Sequence, residues 1–118
     1  MAMTESTAPV RYRDGTAVVD LPAQIDASAE RALNEAYATA AGHGSKTVLL
    51  NFGRVEFLSS TGIALVVGIL ARARKDGRTI TASGLSDHYR EIFEITRLAD
   101  FMKIYADESA ALKGGEAT

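Results

Sequence analysis

Thr47-Val48-Leu49-Leu50-Asn51 is apolar without alternation, and this run constrains the fold more than any other stretch of the chain. A strand with one wet face alternates apolar and polar residues. A strand that does not alternate is covered on both faces, as in a parallel sheet flanked by helices. The neighbouring sequence supplies those helices. Upstream, Ala29, Leu33, Ala36, Tyr37 and Ala40 recur at helical spacing, with Asp26 or Ser28 as the cap and Gly42-His43-Gly44 as the stop. Downstream, Ser59-Ser60-Thr61 opens a second helix that runs to Asp76 and stops at Gly77.

The remaining segments extend the pattern. Residues 10–13 and 16–21 read as strands joined by an Asp14-Gly15 hairpin turn, and Pro22 ends the pairing. A loop through Gly53 and Glu56 leads to the second helix. A strand over 78–83 follows, then a helix over 86–96 with Tyr89, Ile92, Phe93 and Thr96 inward. A strand over 101–105 and a short helix over 107–112 close the series. Repeated strand-helix-strand units with right-handed crossovers give an α/β fold with a mixed, mainly parallel sheet of four or five strands. A chain of 118 residues suffices for one core. The domain is expected over 10–112, with the small, polar residues 1–9 and 113–118 loosely ordered.

Several functions are disfavoured at once. Net charge is -2 with no long like-charge run, so no nucleic-acid partner is expected. Arg72, Arg74, Lys75 and Arg78 cluster where the second helix ends, a place where cations complement the helix dipole. Without cysteine there is no disulfide, thiolate metal site or thiol nucleophile. His43 and His88 stand apart, so no metal site is expected. Gly42-His43-Gly44-Ser45-Lys46-Thr47 has the wrong spacing for a phosphate-binding loop and leads into a strand. Gly-x-Ser-x-Gly is absent, which argues against a serine hydrolase. No cofactor motif is present. The opening residues lack the pattern of a secretory signal, and the longest apolar stretch, residues 62–71, is about half a bilayer span. A cytoplasmic location without membrane insertion is the expectation.

Residues 57–70 are the informative segment. Three consecutive hydroxyls precede Gly62 at a helix N-terminus, where one would serve as the cap and where free N–H groups favour an anion. A phosphate on Ser60 would bring about -1.5 to -2 charges without unfolding the helix. The same helix is apolar nearly all round for two turns. If Leu65, Val66 and Ile69 face the sheet, then Ile63, Val67 and Leu70 lie partly elsewhere, under another helix or at a protein interface.

The strand Thr47–Asn51, the run Val55-Glu56-Phe57-Leu58-Ser59-Ser60-Thr61-Gly62-Ile63-Ala64 and the hydrophobic helix after it resemble the STAS domain. Within that family the chain is most similar to bacterial anti-sigma-factor antagonists. The likeness runs from Asp14 to Tyr105 and includes Gln24-Ile25-Asp26 and Ile92-Phe93-Glu94-Ile95-Thr96-Arg97-Leu98. It implies helices packed chiefly on one side of the sheet and a regulatory protein that is not an enzyme. It also implies that the unphosphorylated protein binds an anti-sigma factor that is a serine kinase, with a metal-dependent serine phosphatase as the resetting partner. The acceptor falls on Ser60, with Ser59 and Thr61 as further hydroxyls. Asp26, Ser59, Ser60, Thr61, Gly62, Ile63, Val67 and Leu70 form the expected partner face. The best-known family form has Asp immediately before the acceptor; this chain has Ser59. A constitutive scaffold subunit of a signalling assembly or of a membrane transporter complex is the alternative, and a homodimer is open.

Overall fold

The computed structural model describes residues 7–114. Strands β1 (Val10–Arg13) and β2 (Thr16–Asp20) form the hairpin, turned by Asp14 and Gly15, both at positive φ. Strand β3 (Gln24–Ile25) and a 3-10 turn (Ala27–Ala29) lead into helix α1 (Glu30–Gly42). Strand β4 (Thr47–Asn51), strand β5 (Phe57–Leu58) and helix α2 (Ser60–Asp76) follow. Strand β6 (Thr79–Ser83), helix α3 (Asp87–Ile95), a 3-10 turn (Leu98–Asp100), strand β7 (Lys103–Tyr105) and helix α4 (Glu108–Gly114) complete the order.

The main sheet has five strands in the order β1-β2-β4-β6-β7. Only the β1–β2 pair is antiparallel. As the unbroken apolar run requires, β4 lies at the centre and is covered on both sides. Val48 and Leu50 enter the main core with Leu33 and Tyr37 of α1, Val66 and Ile69 of α2, and Phe93 of α3. Leu49 points the other way with Val18, into a smaller cluster closed by Ala111 of α4. Three helices therefore pack on one face and the short α4 on the other, as expected.

Four local expectations are corrected. Residues 24–25, given no element, and residues 57–58, placed in the loop before the second helix, form a second, two-stranded parallel sheet. The last strand begins at Lys103 and not at residue 101, because Arg97 takes a left-handed φ of 69° and starts a 3-10 turn. Thr96, expected inward, is exposed at the end of α3 and donates its hydroxyl to the Ile92 carbonyl at 2.8 Å. Residues 113 and 114, read as tail, belong to α4. At the other end, the Asp20 amide donates to the Pro9 carbonyl at 2.9 Å, so pairing begins before β1. The loose order expected of residues 1–6 and 115–118 lies outside the described residues.

Arg72 and Arg78 of the basic cluster at the end of α2 are engaged within the fold, and Arg74 is exposed. Arg74 and Lys75 occupy the last turn of α2. Arg72 lies over the Tyr37 ring at 4.7 Å, and the Tyr37 hydroxyl donates to Asp76 at 2.7 Å. The Arg78 side chain donates to the carbonyls of Ala41 and Ser45 and so caps α1, while its backbone amide donates to the Ala73 carbonyl of α2 at 2.8 Å, and β6 begins one residue later than expected.

Candidate functional site: the N-terminus of α2

The three hydroxyls divide their work. Ser59 is extended (φ -81°, ψ 172°) and is the cap: its Oγ accepts from the Gly62 amide at 3.0 Å. Its own amide donates to the Ile25 carbonyl at 3.0 Å, which ties the start of α2 to β3. Ser60 and Thr61, the first two helical residues, are exposed. With the cap already made, the Ser60 hydroxyl is left at the positive end of a 17-residue helix. Replacing Ser59 with alanine is expected to lower unfolding stability by about 1 kcal/mol, read from urea denaturation. An unchanged midpoint would show that the cap carries no weight.

Gly62 is buried, which corrects its place on the expected partner face: it presents no surface to another protein. A Cβ there would lie 2.1 Å from the Ile25 oxygen and 2.9 Å from the Leu58 Cδ1 atom. This close approach presses the helix tip onto the β3–β5 pair, in which Ile25 sits beside Leu58. Tyr89 of α3 adds a third tie, its hydroxyl accepting from the Leu58 amide at 3.0 Å. The sequence placed Tyr89 on the inner side of α3 but gave no sign that its oxygen would brace the segment before Ser59.

Asp26 directly follows Ile25 and stands beside the same junction. Its carboxylate accepts from the Ser28 hydroxyl and, at 2.9 Å, from the Ser28 amide; these bonds hold its pKa below the usual carboxylate value. It caps the 3-10 turn before α1, not α1 itself. Along α2, Val67 is 44% exposed, and Ile63 and Leu70 are half-buried against the core. The structure thus brings together Asp26, Ser59, Ser60 and Thr61 at one end of α2. It sets Val67 and Leu70 two or more turns away. His43 stacks on Tyr12 and His88 lies edge-on to Tyr89, and no group of potential metal ligands occurs among the described residues.

The profile of the family described as Mlab, STAS domain, matches residues 9–105. The chain belongs to the STAS family. The anti-sigma-B factor antagonist of Staphylococcus aureus is 33% identical over 61 residues, 52% of this chain and 56% of that protein. The STAS chain thus spans little more than half the length of the curated relatives it matches first. The Bacillus cell fate determinant SpoIIAA, solved in its phosphorylated form, superposes with a TM-score of 0.71 at 23% identity, covering 93% of this chain and all of SpoIIAA. A sulfate transporter family protein of Wolinella succinogenes gives a TM-score of 0.76 at 15% identity, covering 86% of this chain and 84% of that one. These likenesses establish the STAS fold seen in anti-sigma factor antagonists and also in transporters. No described helix is long and apolar enough to cross a membrane.

Proposed function

We propose that this STAS domain is an anti-sigma-factor antagonist switched by a phosphate on Ser60. In this reading the unphosphorylated form binds an anti-sigma factor that is also a serine kinase. Transfer of the γ-phosphoryl of ATP to Ser60 Oγ, with loss of the hydroxyl proton and release of ADP, ends the complex, and a serine phosphatase reverses it. The domain itself performs no catalysis. One observation carries the reading: Ser60 is exposed on the helix tip while Ser59 makes the cap. Phosphate added there meets unpaired helical N–H groups, so the helix tolerates the charge and the partner face feels it. Ser59, standing where the best-known family form has Asp, keeps the oxygen the cap needs and removes a carboxylate from beside the acceptor.

Asp26, Ser59, Thr61 and Ile63 complete the proposed contact face, while Val67 and Leu70, further along α2, lie outside it. Ser60→Asp should weaken partner binding by about tenfold or more, the range of a like-charge contact at an interface, while Ser60→Ala binds as wild type. Mass spectrometry after incubation with the kinase and ATP should place one phosphate on Ser60. Phosphate found on another residue, or Ser60→Asp binding at full strength, would defeat the proposal. The likeness to a transporter-family domain favours a second reading, a constitutive scaffold. Its mark would be a stable complex untouched by either Ser60 substitution.

A further inference from the structure

Two of the exposed large apolar residues of this chain line one groove. Val67 is 44% exposed and Phe101 is 59% exposed, and both border an open hollow of about 690 Å³. One wall is the second half of α2, where Val67, Leu70 and Arg74 fall on a single helical face. The other wall is the turn after α3, through Leu98 and Phe101, and Ile80 of β6 is in the floor. α1 packs along α2, but nothing among the described residues fills the space between α2 and the 98–101 turn. Two exposed apolar side chains facing one groove give it a surface that suits an apolar partner.

The charges around the groove select its occupant. Arg74 and Arg78 border it, and the one bordering carboxylate, Asp100, is held by Arg97 at 2.8 Å. The rim is therefore positive in a chain whose net charge is -2. A second copy of this chain would set one positive rim against another, which disfavours self-association through this face. The groove is too open to enclose a small molecule on most sides. Of β6, only Thr79 and Ile80 precede the pairing with β7, too short an edge for an added strand.

We propose that this groove docks an acidic amphipathic helix of a partner protein. The helix places its apolar residues between Val67, Leu70 and Phe101, and a carboxylate against Arg74. This site lies on the far half of α2, and it stands whether or not Ser60 is phosphorylated.

The test uses a fluorescein-labelled helical peptide of about 14 residues, with Leu at i, i+4 and i+7 and Glu on its flanks. Its counterparts carry Lys for Glu, or the same composition scrambled. Anisotropy should show the acidic peptide binding about tenfold more tightly than either counterpart, and Phe101→Ala and Arg74→Glu should each weaken it about tenfold. Both side chains are exposed; Phe101→Ala should unfold as wild type, and Arg74→Glu, which exchanges a cation for an anion at the C-terminus of α2, only a few degrees lower. Amide shifts in labelled protein should map to 67–74 and 98–101. Equal binding of the acidic and basic peptides, no binding, or shifts elsewhere would overturn the proposal. So would a wild-type dimer, seen by sedimentation, that Phe101→Glu dissolves, because the occupant would then be a second copy.

Discussion

Gly62→Ala should destabilise the domain by about 3 kcal/mol and lower Tm by roughly 10 °C, the upper range for forcing a methyl group into a packed site. Elsewhere in a helix the same change stabilises by up to about 1 kcal/mol, because alanine loses less backbone freedom. Here the new carbon would sit 2.1 Å from the Ile25 oxygen, and 2.9 Å from both the Ile25 carbonyl carbon and the Leu58 Cδ1. A backbone oxygen cannot swing aside as a side chain can. Either α2 lifts off β3, breaking the Ser59 amide bond to Ile25, or the β3–β5 pair parts. Gly68, on the same helix, has open space around its Cβ position, so Gly68→Ala should leave stability unchanged or slightly raised. Equal urea midpoints for the two variants would show that the close approach at Gly62 is not what limits this position.

Arg11→Ala is the second large effect, about 2 kcal/mol at neutral pH after allowance for solvent screening of a partly exposed group. The guanidinium donates to Asp20 at 2.7 and 2.8 Å and to Glu108 at 2.7 and 3.1 Å, joining β1, β2 and α4. Asn51 adds a bond to Asp20 at 2.8 Å. Arg11 chiefly, through these hydrogen bonds, holds both carboxyls below their ordinary pKa values. A carboxylate depressed in the folded state stabilises fully above its unfolded pKa, about 4, and that stability is lost as pH falls through the lower folded value. The gap between wild type and Arg11→Ala should therefore be widest at neutral pH and shrink steadily below about pH 4. Denaturation midpoints at a series of pH values read it directly. A gap independent of pH would mean that Arg11 acts by packing alone.

The elements with strong periodicity were legible. The stripe Ala29, Leu33, Ala36, Tyr37 and Ala40 is buried residue for residue, and β4 lies where the non-alternating run put it. The two-residue strands β3 and β5 were not, since two residues carry no period. They exist because the Ala23 carbonyl takes the amides of Glu56 and Phe57, and the Ile25 carbonyl takes that of Ser59. At the site, the hydroxyl run and its helix were readable, and so was the surplus over one cap. Which hydroxyl caps depends on where the backbone turns helical, and the sequence leaves that within a residue or two. The packing duty of Gly62 was hidden because its partner lies 37 positions earlier and is a backbone atom. Arg78 was read as complementing the helix before it, yet it closes α1, a choice made by tertiary geometry alone.

Arg11 and Glu108 stand 97 positions apart, and α4 covers the sheet face that holds Val18 and Leu49. During synthesis that face is bare until nearly all of the domain has left the ribosome. A nascent chain halted before Glu108 would thus present apolar strands to its surroundings, the condition under which wrong associations compete with folding. The seven-residue α4 acts as a late lid on assembly, and until it arrives the Val18 and Leu49 face stays open to wrong association.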